Sequence, residues 1–148
     1  MIAAVLFASA LAAQGPQPSP EPRADVVKLF EDAAAALSSE NPKDFLDYFD
    51  DQMTGYSTLS EEVLALVSWA QVTSSIKFMS DAGDDSKREV ELDWQLGVEG
   101  KRANRGQQDG QRAQGEERRA AVKCRIEKRG KKWKITAFEP IDFFKFPE

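Results

Sequence analysis

Strict alternation of apolar and polar residues marks the middle of the chain. Across 87–98, Val90, Leu92, Trp94, Leu96 and Val98 alternate with Glu89, Glu91, Asp93, Gln95 and Gly97. A period of two predicts a strand with one buried and one wet face. The same period precedes it, with Val72, Ser74, Ile76 and Phe78 alternating with Thr73, Ser75, Lys77 and Met79. The segment 81–86 reads as the turn between the two strands. Closing that hairpin would set Ile76 opposite Leu92 and Ser74 opposite Trp94. Ala120, Val122, Cys124 and Ile126 predict a third strand whose other face carries Arg119, Lys123 and Arg125. Those bases would face Glu91, Asp93 and Gln95 across the ladder, where opposite charges contribute roughly 0.2–1 kcal/mol per pair. After a tight turn at 129–131, Trp133, Ile135 and Ala137 continue a fourth strand, and 139–144 end it with an aromatic plug.

Ahead of the strands the period is helical. Val26, Val27, Leu29, Phe30, Ala33, Ala34 and Leu37 recur at three- and four-residue spacings, so 25–39 predicts an amphipathic helix with Asp25 as its N-cap. A second, short helix is signalled by Asn41 as cap, Pro42 at the first helical position and Asp44 in the first turn, followed by the stripe Phe45, Leu46, Phe49. Between 50 and 58 the period is lost and Gly55 marks a turn. Thr58 and Glu61 then fit a capping box, and Leu59, Val63, Leu66 and Val67 carry a third helix to Trp69 or Ala70. Three helices followed by a four-stranded meander is an α+β plan, with the helices gathered on one side of an antiparallel sheet.

Charge refines this picture. Residues 21–93 hold 17 acids against 6 bases, and 94–148 hold 8 acids against 14 bases, so the two halves complement each other without an external polyion. The loop 100–115, rich in Gly, Gln and Arg, predicts a mobile hairpin tip. Its bases have no interleaved aromatic residues for stacking on nucleotides, and the chain is net acidic, which argues against nucleic-acid binding. There is no histidine, so imidazole bases, His metal ligands and Ser-His or Cys-His pairs are excluded. Cys124 is the single cysteine, and its apolar neighbours predict a buried thiol without a disulfide. No metal site and no cofactor motif is present in the sequence. The apolar run 2–13 with small residues at Ala10 and Ala12 predicts a removable secretory signal over 1–13, although no base precedes it. That run is too short for a membrane span of about 30 Å. A Pro-rich linker over 14–23 would then lead into a folded domain over 24–148, exported to the periplasm or the extracellular medium.

The amphipathic first helix, the junction 39–49, the third helix and the closing strand 130–136 resemble the nuclear transport factor 2-like superfamily, which includes the SnoaL-like domains. The resemblance covers roughly 24–140 and implies a cystatin-like cone, in which a strongly curved sheet wraps the helices around an apolar pocket. The family usually has a short first strand, but 52–57 is poor in β-formers and that strand is not assigned here. The family includes enzymes and binding modules alike, so membership leaves the function open. Residues placed at such a pocket are Tyr48, Tyr56, Trp94, Trp133 and Glu139, with Asp50 and Asp51 beside the tyrosines. The strand carboxylates Glu89, Glu91 and Asp93 alternate to the outer face. This favours a non-enzymatic domain that binds a small apolar ligand or a protein, as a homodimer through the sheet face. The alternative is a His-independent acid/base enzyme of isomerase, dehydratase or cyclase type, acting on a hydrophobic substrate.

Overall fold

Three helices lie in the curl of one antiparallel sheet in the computed structural model, which describes residues 22–100 and 115–145. The predicted signal, most of the predicted linker and the loop residues 101–114 lie outside the described residues. Helix α1 (Ala24–Ser38) buries Val26, Leu29, Phe30, Ala33, Ala34 and Leu37, the expected stripe except for Val27, which is only partly buried. Its cap is Arg23 rather than Asp25. Asp25 sits inside the first turn because its carboxylate is used elsewhere, accepting from the Val26 amide at 3.0 Å and from the Trp133 indole at 2.8 Å. Helix α2 (Pro42–Asp47) starts as expected, with the Asn41 side chain accepting from the Asp44 amide at 3.1 Å.

Helix α3 (Tyr56–Trp69) begins earlier than the expected capping box. Gly55 has φ +84° and turns the chain directly into the helix, and its carbonyl accepts from the Leu59 amide at 2.9 Å. Thr58 therefore lies within the first turn, and no side chain caps this end. A Cβ at residue 55 would come within 2.8 Å of Ile141, so both backbone conformation and space require glycine.

Strands β1 (Ala70–Gly83), β2 (Lys87–Gly100), β3 (Glu116–Arg129) and β4 (Lys132–Glu139) pair in chain order. The β1–β2 register differs from the expected one by two residues: Ile76 faces Trp94 and Ser74 faces Leu96. The strands continue through most of the supposed turn, and Met79 is bulged out between the pairs Phe78–Leu92 and Ser80–Glu91. One inserted residue reverses which face each later side chain takes. Asp81 accordingly points inward and is buried. A second irregularity lies between the pairs Arg125–Ala137 and Ile126–Ile135, so Phe138 is buried where Ala137 was expected. No strand forms over 52–57, and outside the four strands an isolated parallel bridge joins Phe49 and Ile135.

The core of this cone is aromatic. Trp94 is fully buried, with ring centroids of Phe144 at 5.5 Å, Phe138 at 6.0 Å, and Phe45 and Phe143 at 6.4 Å. These contacts are edge-on, the arrangement favoured by ring quadrupoles. The Trp94 indole donates to the Ser74 hydroxyl at 2.7 Å, so its one polar atom is satisfied.

Candidate functional site

Two regions qualify: the interior of the cone and the outer face of the sheet. The segment Pro140 to Lys145 enters the interior after the cis Glu139–Pro140 bond and places Phe143 and Phe144 in the core. It is held by Ile141 against Gly55, by hydrogen bonds that the Phe143 and Lys145 amides donate to the Pro140 and Asp142 carbonyls, and by Arg118, whose guanidinium donates to the Phe143 carbonyl. Phe144 also packs on Phe45 at 5.2 Å and on Phe138 at 5.3 Å. Aromatic rings thus pack the interior of the cone.

Ionisable groups inside the sheet are few and engaged. Asp81 has a fully buried side chain that takes Arg88 Nε at 2.6 Å and the Arg23 amide at 3.0 Å, and Arg88 also donates to the Asp84 carbonyl. With both carboxylate oxygens occupied, this pair ties the hairpin base to the start of α1. Burial pushes the Cys124 thiol far above its ordinary pKa, which leaves it neutral and unreactive.

Of the five pocket candidates, Trp94 and Trp133 are buried in the core, Tyr48 and Tyr56 pack against it, and Glu139 is exposed. Trp133 is bonded to Asp25 and flanked by Arg23 and Lys128, which sit 5.9 and 5.3 Å from its ring. Tyr48 is half-buried, and desolvation raises its hydroxyl pKa, with Asp32 and Asp44 adding to the effect. Tyr56 opens α3 and lines a surface hollow of about 390 Å³ with Asp50, Asp51, Arg129 and Lys134. Within it Asp50 is held by the Gln52 amide and Arg129, which keep its carboxyl below the usual range. Glu139 is exposed on the outer face, because the β4 irregularity turns its neighbour Phe138 inward.

The outer face is laid out in rows. Ser80, Glu91, Lys123 and Glu139 form one row across the four strands, and Ala82, Glu89, Arg125 and Ala137 form the next. The short side chains of Ser80, Ala82 and Ala137 help to leave a hollow of about 520 Å³ among these rows. Along the strands the charges form stripes, with Glu89, Glu91 and Asp93 on β2 beside Arg119, Lys123 and Arg125 on β3. Arg119 holds Asp93 through two bonds, one at 2.8 Å, and keeps its carboxyl below the usual range, while Arg125 lies 3.4 Å from Glu89.

Four residues escaped the sequence reading. Arg88 and Arg118 continue the inward alternation of their strands, a signal that the sequence carries. Asp81 does so only through the bulge. Glu62, on α3, has one carboxylate oxygen buried with no hydrogen-bond partner. Among the described residues no group of three or more acids or Cys is placed to hold a metal ion, and no helix is long and apolar enough to cross a membrane.

No family model matches the sequence, and no curated protein matches it significantly. The similarity lies in solved structures. A conserved protein from Planctomyces limnophilus superimposes with a TM-score of 0.64 at 7% identity, covering 77% of this chain and 90% of its own. A nuclear transport factor 2-like superfamily protein from Salmonella enterica serovar Typhimurium gives 0.59 at 12% identity, over 76% of this chain and 84% of its own. A type 2 hexachlorocyclohexane dehydrochlorinase gives 0.57 at 13% identity, over 78% and 81%. The chain has the nuclear transport factor 2-like fold, which is used by enzymes and non-enzymes.

Proposed function

We propose that this chain is a non-enzymatic, exported nuclear transport factor 2-like domain that binds protein through the outer face of its sheet, with a second copy of itself as the partner. The observation that carries the first part is the filled cone. Trp94 is enclosed by four phenylalanine rings, and the inward acids of the described strands are paired, Asp81 with Arg88 and Glu116 with Arg118. Acid/base catalysis needs a group within reach of an enclosed substrate, and here rings stand where the substrate would sit.

The choice of partner follows from the stripes. A two-fold axis lying between β2 and β3, parallel to the strands, lays the acidic stripe of one copy over the basic stripe of the other. Glu91 would then meet Lys123, because the two are register partners. An axis across the strands would set acid on acid. Charges of this kind set orientation and specificity more than affinity. Because Met79 is the large exposed apolar residue near this face, association should be weak and sensitive to salt.

The test is light scattering on the full chain at low and high ionic strength. The dimer should form at low salt and dissociate at high salt. Glu89→Lys with Glu91→Lys, and separately Lys123→Glu with Arg125→Glu, should each give monomers, and mixing the two variants should restore the dimer. A wild-type monomer at high protein concentration and low salt would refute the self-association. Saturable binding of an apolar ligand that quenches tryptophan emission would return the function to the cone.

A further inference from the structure

Glu62 is the polar side chain whose placement the fold does not explain. One of its oxygens is buried without a hydrogen-bond partner, and such a group calls for a reason. The charges acting on it come from two elements that are in contact: Asp142 and Lys145 from the terminal segment, and Arg118 from β3. Arg118 is also the clamp on that segment, since it donates to the Phe143 carbonyl while its other nitrogens engage Glu116 at 3.2 and 3.3 Å. The aromatic plug, its clamp and an unsatisfied carboxyl therefore share one corner of the molecule.

We infer that Pro140 to Lys145 is a releasable plug whose seating is coupled to the proton on Glu62. Protonated, Glu62 is neutral beside Asp142 and the plug stays seated. Ionised, it sets a second negative charge near Asp142 in a partly buried place. Transient openings of the segment at its two short turns, which expose Phe143, Phe144 and the Trp94 wall, then become more frequent while the seated form stays the major one.

The direction is set by linkage. Burial raises the Glu62 pKa, Asp142 raises it further, and Lys145 and Arg118 oppose them. A carboxyl whose pKa is raised in the seated state favours seating at low pH. That preference is lost as pH rises from the ordinary glutamate value through the raised one. Arg118 keeps its charge throughout, so the clamp itself does not titrate.

Hydrogen exchange of the Phe143 and Lys145 amides tests this in the full chain, because both donate inside the plug, to Pro140 and Asp142. Protection, corrected for the intrinsic pH dependence of exchange and referenced to β2 amides, should fall by about tenfold between pH 5 and pH 8. Glu62→Gln should hold it high and flat, and Asp142→Asn should reduce the fall. A flat wild-type profile, or a Glu62→Gln profile that tracks the wild type, would overturn the inference. If Glu62→Gln does not fold, the Asp142→Asn arm decides by the same criterion. Measured on the monomer, the result is independent of association through the sheet face.

Discussion

Truncating Phe144 to alanine tests whether the terminal plug is part of the core. The ring is fully buried and lies within 5.5 Å, centroid to centroid, of Phe45, Trp94, Phe138 and Phe143. Burying a phenylalanine contributes roughly 1.5–3 kcal/mol, and the cavity left behind brings a typical Phe→Ala loss to about 3–5 kcal/mol. Near the chain end the segment can settle partly into the gap, so the lower figure applies, about 3 kcal/mol. For a domain of this size that corresponds to a fall in Tm of about 10 °C. Urea melts followed by tryptophan emission measure it, and an unchanged slope would show that the loss is one of stability. Leu64→Ala is the control, since Leu64 is 46% exposed on α3 and its loss should stay within about 0.5 kcal/mol. A Phe144→Ala loss below about 1 kcal/mol would mean that the plug is not packed as described, and the case for a filled cone would fall with it.

Three further outcomes are expected. Asp81→Ala strands Arg88 in a half-buried place and should cost about 3–5 kcal/mol in urea melts, whereas Asp81→Leu with Arg88→Met should recover most of it. Cys124 should be inert to a thiol reagent in the native protein and react fully in denaturant; a fast native reaction would contradict its burial. The bond from the Trp133 indole, then Arg23, holds the Asp25 carboxyl below its usual range, so its contribution is complete above the ordinary aspartate value and lost as pH falls through the depressed one. Trp133→Phe should therefore flatten the acid limb of the thermal-stability profile below about pH 4, and an unchanged limb would assign that sensitivity elsewhere.

The helices and strands were legible because each carries a long run of one period. The stripe of α1 apart from Val27, the N-cap of α2 and the even-numbered apolar positions of β2 and β3 agree with the alternation. Single residues that change the count were not legible. Met79 and the β4 irregularity each shift which side chains face inward, and neither is marked by a glycine or a proline. The cap of α3 was missed for a different reason: the capping residues are present at Thr58 and Glu61, but the left-handed conformation at Gly55 starts the helix first. A local motif lost to a backbone requirement three residues away.

The candidate site suffers most from these shifts, because its chemistry depends on which face a few side chains take. The β4 irregularity moves Glu139 out of consideration as a cone residue and puts Phe138 against Trp94 at 6.0 Å. The bulge at Met79 does the reverse, carrying Asp81 inward, where Arg88 neutralises it at once. The first change replaces a carboxylate with a packing ring, and the second brings in a carboxylate that is already paired. The stripes on the outer face need no such correction, since β2 and β3 pair without a break and the cross-strand charges follow from alternation alone. The regular part of the sheet thus presents an addressable charged surface, and its irregular edges help to close the cone. Under the proposed function, that division would put recognition outside and packing within.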